Sequence, residues 1–439
     1  MPLVNIREVR SWHKVRYGVF SVRGAVLLAA GTPLTKGLAK RLADMKVEWV
    51  HVCDRDVPDK RLKTVLKPAD RSEILSDIED AFRRLAEAYA VDLRALAASR
   101  AFSASLAYVR DKHFTRTIKD VSAREQVLPA SLVGRAQQIA EAATTVDPVA
   151  VLPIGSNRSG DSLRADHALD VAILSAMLAR DFSYEQEEVV RIALGAMMHD
   201  AGWVLFPRHW QSGEPTPDDE EPPSEELLSR ARLLHPILGY LMLKEQRAFD
   251  LLAAHVAYQH HEHQDGTGFP RGLTGPNRVL SLTEALRAPS RLIHRYANIV
   301  AVANAYDHLA SAPPFGRGLR PGDALTALEA VATTVLNRVV VERFAVSTPP
   351  FPVGSDVWVT SGEHKGYQGA VTAVRHRRID RPEIRLVFDR EGKRIRPIDV
   401  DTAATSVGLS VDPPGSGVAA LQAAEADALP ERDEQGEDE

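Results

Sequence analysis

The run His260-His261-Glu262-His263-Gln264-Asp265-Gly266-Thr267-Gly268-Phe269-Pro270 constrains this chain more than any other stretch. Consecutive residues lie about 100° apart around a helix. His260 and His261 can therefore reach one cavity only near a helix end. The apolar run Leu251 to Gln259 supplies the helix, and the Asp265-Gly266 turn ends it. Gly266 and Gly268 permit the sharp turns and close backbone approach that follow. Upstream stand His199-Asp200 at the end of an apolar helix, His235 near the start of another, and His167 on an earlier one. One imidazole beside one carboxylate suits a divalent cation such as Mn, Fe, Zn or Mg, which accept mixed nitrogen and oxygen ligands. An isolated His-Asp pair is usually an ordinary helix end; joined to four further histidines, it points to metal. The single cysteine, Cys53, excludes a thiolate site and an internal disulfide.

A chain of 439 residues has room for two or three domains with their own cores. No apolar run approaches the length needed to cross a bilayer, and the start, Met-Pro-Leu-Val-Asn-Ile-Arg-Glu, has no apolar stretch of a signal peptide. A cytoplasmic protein without a membrane partner is expected. The net charge of -5 gives no global field favouring nucleic acid or anionic lipid, so an anionic ligand must be held locally.

In chain order, Arg16 to Leu28 reads as a hairpin, Thr35 to Leu42 as an amphipathic helix and Glu48 to Val52 as a returning strand, giving a small α+β module over 1–66. Helical periodicity then runs from Asp70 to about Ala101 through Ile74, Ile78, Phe82 and Leu85, and again from Ala130 to Thr144, within a connecting region of 67–147. The basic segment between them, Tyr108 to Gln126, shows no clear period. Ser162 to Arg180 predicts a helix bearing His167. Ser183-Tyr184-Glu185-Gln186 reads as a capping box for the next helix, which is expected to run to Asp200 with Gly202 as its stop. Ser212 to Pro223 is an acidic, proline-rich insertion with no regular structure. Short strands at even spacing over 346–405 predict a small SH3-like β-barrel. Its Gly362 to Gly369 turn has some likeness to RNA-binding elements, but no nucleic-acid partner is expected. The acidic tail 406–439 cannot form a core.

These motifs resemble the HD superfamily of metal-dependent phosphohydrolases, and within it the HD-GYP group that hydrolyses cyclic di-GMP. The matching residues are, in order, His167, His199-Asp200-Ala201-Gly202-Trp203, His235-Pro236, the run from His260 to Pro270, and Asn304-Ala305-Tyr306-Asp307. The resemblance implies a mainly α, HD-type helical bundle over 148–345, with the α+β module before it and the small barrel after it. It also implies one or two divalent ions per chain, Fe, Mn or similar. Asp200 would bridge two ions, with His235, His260 and His261 on one and His167, His199 and Asn304 on the other. His199 and Asp200 would be the catalytic pair. Cyclic di-GMP or a related nucleotide would lie against Trp203, Asp265, Phe269, Arg271 and Arg317. A homodimer and signalling proteins are the macromolecular partners expected.

The chain departs from the group's pattern at several positions. Trp203 replaces a lysine, so an indole stands where a cation would meet phosphate. Asn304 replaces the last metal-binding aspartate, keeping an oxygen donor and losing its charge; Asp307 and His308 on the same helical face are candidates to compensate. Pro313 and Gly316 fall where two further cations belong, Phe269 lacks a tyrosine hydroxyl, and Leu163 occupies the position that in some members adds a third metal. Three readings follow: a phosphodiesterase, a catalytically weak domain that senses a nucleotide or binds a protein, and a phosphohydrolase for a different ester.

Overall fold

The structure is a computed structural model. It describes residues 3–9, 13–15, 19–20, 26–29, 31–45, 47, 49–54, 65–89, 112–124, 126–145, 163–207, 224–247, 249–287, 289–311, 319–376 and 378–410. The acidic insertion, the loop carrying Pro313, Gly316 and Arg317, and the tail beyond Ser410 lie outside them.

The N-terminal module pairs β1 (Leu3–Asn5), β5 (Trp49–Asp54) and β2 (His13–Val15) as an antiparallel sheet in the order β1-β5-β2, beside a hairpin of β3 (Val19–Phe20) and β4 (Val26–Leu28). Helix α1 (Lys36–Asp44) starts at Thr35, whose hydroxyl accepts the Leu38 N–H. Ile6, Val15, Leu34, Leu42, Val50 and Val52 form the module's own core.

Helix α2 (Pro68–Ala88) opens on a proline, whose missing N–H costs nothing at a first turn. It stops at Ala88, since Tyr89 is extended; the remainder of the helix expected to reach Ala101 lies outside the described residues. The basic segment without a clear period is a helix, α3 (Lys112–Arg124), with Ile118 turned inward. With α4 (Ser131–Thr145) these helices share one continuous core with the central bundle.

That bundle is built around α5 (Leu163–Asp181) and α6 (Gln186–Met197), with α8 (Leu251–Gln259) and α10 (Arg295–Ala310) packed against them and α7 (Glu225–Lys244) packed on α8 and on the 3-10 segment Ala201–Leu205. The short α9 (Leu282–Arg287) lies between α8 and α10, and α11 (Pro321–Val331) and α12 (Arg338–Ser347) close the bundle. Along α5 almost every described side chain is buried, which fits a helix apolar around its circumference at the centre of a bundle. The capping box starts at Glu185 rather than Ser183. Glu185 and Glu188 exchange side-chain-to-backbone bonds, while Ser183 takes a positive φ in the preceding turn.

C-terminally, β6 (Asp356–Ser361), β7 (Gln368–Arg375), β8 (Arg378–Phe388), β9 (Arg394–Asp401) and β10 (Gly408–Ser410) form one antiparallel sheet in the order β10-β6-β7-β8-β9. Its core is Val357, Val359, Val371, Ile384, Leu386, Val400 and Val407. The expected barrel is not what the ladders show. Among the described residues the end strands β9 and β10 do not pair, so the sheet is open. Strand spacing identifies the strands; it carries no information on whether the two edges meet. No described helix is long and apolar enough to cross a membrane.

Candidate metal centre

Helix α6 ends at Met197, so His199 and Asp200 sit in the turn just past the helix, ahead of a 3-10 segment from Ala201 to Leu205. Ending the helix there leaves the Ala196 carbonyl open, and His199 Nδ1 lies 2.7 Å from it. A carbonyl can only accept, so Nδ1 carries the proton and Nε2 is left with its lone pair. His235 reaches the same state by another route. It lies midway along α7, not near its start, and the following residue is Pro236. Proline has no N–H to give the carbonyl four residues back, which belongs to Arg232; His235 Nδ1 donates to that carbonyl at 2.7 Å instead. His260 caps the C-terminus of α8, with Nδ1 3.0 Å from the Ala257 carbonyl. Three breaks in helical bonding thus fix three imidazole tautomers.

The freed Nε2 atoms turn toward Asp200. Those of His235, His199, His260 and His167 lie 3.4, 3.5, 3.5 and 3.9 Å from its carboxylate oxygens. His167, on α5, has its Nδ1 2.6 Å from a carboxylate oxygen of Asp307, which also accepts from Ser311 Oγ. Asp307 therefore faces His167 from behind and orients the ring; such outer carboxylates fix tautomer and raise ligand basicity. Asn304, one turn earlier on α10, is buried. His308 is exposed at its Cα-bearing turn, with its ring tilted against that of His167 at 4.5 Å between centroids.

Gly202 holds these segments together. A Cβ there would lie 1.9 Å from the His235 carbonyl oxygen and 2.8 Å from the Gly239 nitrogen. Its small size permits the 3-10 segment to touch the backbone of α7, a different service from the helix stop expected of it. Glu262, buried, accepts the backbone N–H of Arg271 at 2.8 Å and of Leu273 at 2.6 Å, folding the motif loop back on itself. Burial raises the Glu262 carboxyl, against the pull of those two N–H groups.

Electrostatically the centre is prepared for a cation. Burial works to raise the Asp200 carboxyl, but His199, His235 and His260 outweigh it and hold it well below the ordinary carboxylate range. Burial drives His199 down to about 3, and lowers His235 and His261 as well, so at neutral pH these rings are uncharged and able to ligate. Two donor groups emerge, His167 with His199 and Asp200, and His235 with His260 and His261. Within them His167 Nε2, His199 Nε2 and Asn304 Oδ1 are buried without a hydrogen-bond partner. Orphaned buried acceptors are rare and costly, and the two imidazole lone pairs, 3.9 and 3.5 Å from the same Asp200 oxygen, fit a divalent ion.

The residues expected to meet substrate are placed differently from one another. Trp203 is buried, its indole stacked on the His235 ring at 4.7 Å and 22°, so that face is already occupied and braces a ligand histidine. Phe269 stacks on His261 at 4.7 Å and 17°. Asp265 is exposed and caps Thr267 through its backbone N–H and hydroxyl. Arg271 is exposed, its guanidinium 5.9 Å from the centre of the Tyr258 ring. Arg317 lies outside the described residues, and for Leu163 only the backbone, the first residue of α5, is described.

The lowered histidines set a pH dependence for the metal-free protein. Besides His199, burial takes His294 down to about 4; it caps α10 by accepting the Tyr296 N–H. In the unfolded chain these rings take up protons near pH 6.5, whereas folded they do so only near 3 and 4. The unfolded state binds more protons throughout that window, so stability is full above about pH 6.5 and falls as the pH drops toward 4. Thermal melts in chelator from pH 7.5 to 4.5 are expected to show a continuous decline beginning below about 6.5; a flat profile would exclude buried neutral histidines.

Comparison with known proteins agrees with this arrangement. A family model described as the HD domain matches residues 164–309. A cyclic di-GMP phosphodiesterase of Pseudomonas aeruginosa is 26% identical over 381 residues, 85% of this chain and 80% of the relative. The cyclic di-GMP phosphodiesterase response regulator RpfG of Xanthomonas campestris is 32% identical over 145 residues, 32% of each chain. Among solved structures, an HD-GYP-type protein of Bdellovibrio bacteriovorus matches with a TM-score of 0.38 and 17% identity, over 78% of this chain and 97% of that one. The motif order, the centre that it assembles and the matched segment together assign an HD domain to residues 164–309.

Proposed function

We propose that the chain is a metal-dependent phosphodiesterase that hydrolyses cyclic di-GMP. The observation that carries this reading is the convergence of four Nε2 atoms on Asp200, those of His167 and His199 being buried and without a hydrogen-bond partner. His235, His260 and His261 would hold one ion, His167, His199 and Asn304 a second, and Asp200 would touch both. The nitrogen and oxygen donor set suits Fe or Mn. When bound, such ions acidify a water and neutralise charge building on the phosphodiester.

The chain's own contribution is to hold the donors still and dry. Asp200, held well below the ordinary carboxylate range, is ionised at neutral pH. Asp307 prevents rotation of the His167 ring, and Trp203 and Phe269 do so for His235 and His261. With an indole in place of the usual lysine, Arg271, exposed beside the motif loop, and Arg317 are the cations left to meet phosphate. Cyclic di-GMP is the substrate named for the relatives of P. aeruginosa and X. campestris.

The test is hydrolysis of cyclic di-GMP by protein reconstituted with Mn(II) or Fe(II), with the linear dinucleotide and GMP as products. Asn304→Asp is the informative variant. A carboxylate adds a charge to the His167 and His199 position and is expected to tighten it on the order of tenfold, raising turnover most at low metal concentration. A wild-type chain that hydrolyses as fast as the variant at every metal concentration would show that the Asn304 oxygen is a sufficient ligand. Protein that holds metal but does not turn over, with activity appearing only in Asn304→Asp, would favour the sensor reading.

A further inference from the structure

Outside the centre, a long-range charge contact in the bundle joins α2 to the turn of α5 that carries His167. Arg71 Nη1 donates to Asp170 Oδ1 at 2.9 Å, and its Nη2 to Asp166 Oδ1 at 3.2 Å. Asp166 and Asp170 are each only 6% exposed, and they flank His167 at one residue before and three after. Two carboxylates four residues apart on a helix repel each other, and burial makes each costly to keep charged without a cation. One planar guanidinium bridging both removes the repulsion and ties that turn to α2. Helix α2 also packs against the 3-10 segment that follows Asp200.

We propose that Arg71 is a positioning residue for the metal centre. By clamping Asp166 and Asp170 it holds the His167 ring in register with Asp200 and makes one of the two metal positions conditional on the docking of α2. This rests on the reading of His167 as a ligand. His167 Nε2 stands 3.9 Å from Asp200 and is unsatisfied, so a rotation of its turn that carried the carboxylates toward water would pull a donor out of the centre. The second position, His235 with His260 and His261, comes from α7 and the two residues that follow α8, none of which Arg71 contacts in the bonds described. The clamp therefore acts on one ion and not on the other.

The probe is Co(II), added to metal-free full-length protein, with visible absorption reporting the ligand field and calorimetry the two equivalents. Arg71→Ala is expected to weaken one equivalent about tenfold and leave the other unchanged; Arg71→Lys, which keeps the charge but not the fork, should restore most of the loss. Arg135→Ala is the control. It removes bonds from α4 to Asp77 and Glu73 on the same helix α2 without touching Asp166 or Asp170, and it should change neither equivalent. The proposal is overturned if Arg71→Ala binds both equivalents as wild type does, or if Arg71→Ala and Arg135→Ala weaken both together, which is general loosening of α2. Should Arg71→Ala fail to fold, Arg71→Gln, which keeps much of the side chain without its charge, takes its place, and an Arg71→Gln protein that binds both equivalents as wild type does overturns it equally. His167→Ala separates this from the underlying reading. If it too leaves both equivalents intact, His167 is not a ligand; if it abolishes one while Arg71→Ala spares both, only the role of Arg71 is wrong.

Discussion

Asp200→Asn is expected to strip the protein of metal at both positions and to abolish hydrolysis while leaving the fold in place. The amide has nearly the carboxylate's shape, so the packing around a residue that is 4% exposed is retained. The charge is not. Four imidazole nitrogens lie 3.4 to 3.9 Å from the Asp200 oxygens, and all of them would be asked to gather cations without an anion among them. Removing one partner of a buried charge interaction costs about 3–5 kcal/mol, or roughly a hundred- to several thousandfold in affinity. Elemental analysis should find less than one ion per chain after dialysis, and the rise in melting temperature that Mn(II) gives the wild type should disappear. Circular dichroism of the metal-free variant should match that of the metal-free wild type. A variant that still holds two ions would mean that the histidines suffice and that Asp200 does not bridge.

Gly202→Ala is the second large effect, and it acts through sterics. The added methyl would sit 1.9 Å from the His235 carbonyl oxygen and 2.7 Å from its carbon, both backbone atoms of a packed helix. No rotamer relieves this. The 3-10 segment must move away from α7, at a cost of about 1–3 kcal/mol, and as it moves it carries Asp200 away from His235. Denaturant midpoints of the metal-free protein should fall sharply, and metal affinity should fall with them. The comparison is Gly134→Ala, on α4, where a Cβ meets nothing within 4 Å. That change should be neutral, or stabilising by about 0.5–1 kcal/mol. Equal midpoints for the two variants would show that the close approach at Gly202 is not required.

These expectations separate the centre's chemistry from its scaffold, and the two were not equally legible. The donors were readable because metal ligation needs particular side chains, and His167, His199, Asp200, His235, His260 and His261 stand at motif spacings that few other demands on a chain would produce. Helices were readable where one face is apolar, as in Ile74, Ile78, Phe82 and Leu85 of α2. They were less so in α3, whose basic surface hides its single fully inward-facing described residue, Ile118. Asp307 was noticed for its place on the Asn304 face, but as a substitute ligand. Only the crossing of α5 and α10 puts it behind His167 as the carboxylate that orients the ring.

By itself, then, the sequence determined which atoms are available to a metal, in which order along the chain they come, and that an apolar, helix-rich core must carry them. Local chemistry suffices for that, since ligand identity, helical period and turn residues are properties of a few neighbouring residues. Tertiary structure decided how each donor is aimed. The Trp203 indole braces His235 instead of facing outward, since the 3-10 turn packs on α7 through Gly202. The Ala196, Arg232 and Ala257 carbonyls set the tautomers, because a helix end or Pro236 leaves each one within reach of a ring. Arg71 meets Asp166 and Asp170 across 95 and 99 residues of chain, and the edges of the C-terminal sheet stay apart. Contacts between residues so far separated depend on how whole elements pack against one another, and no short window of sequence holds that information.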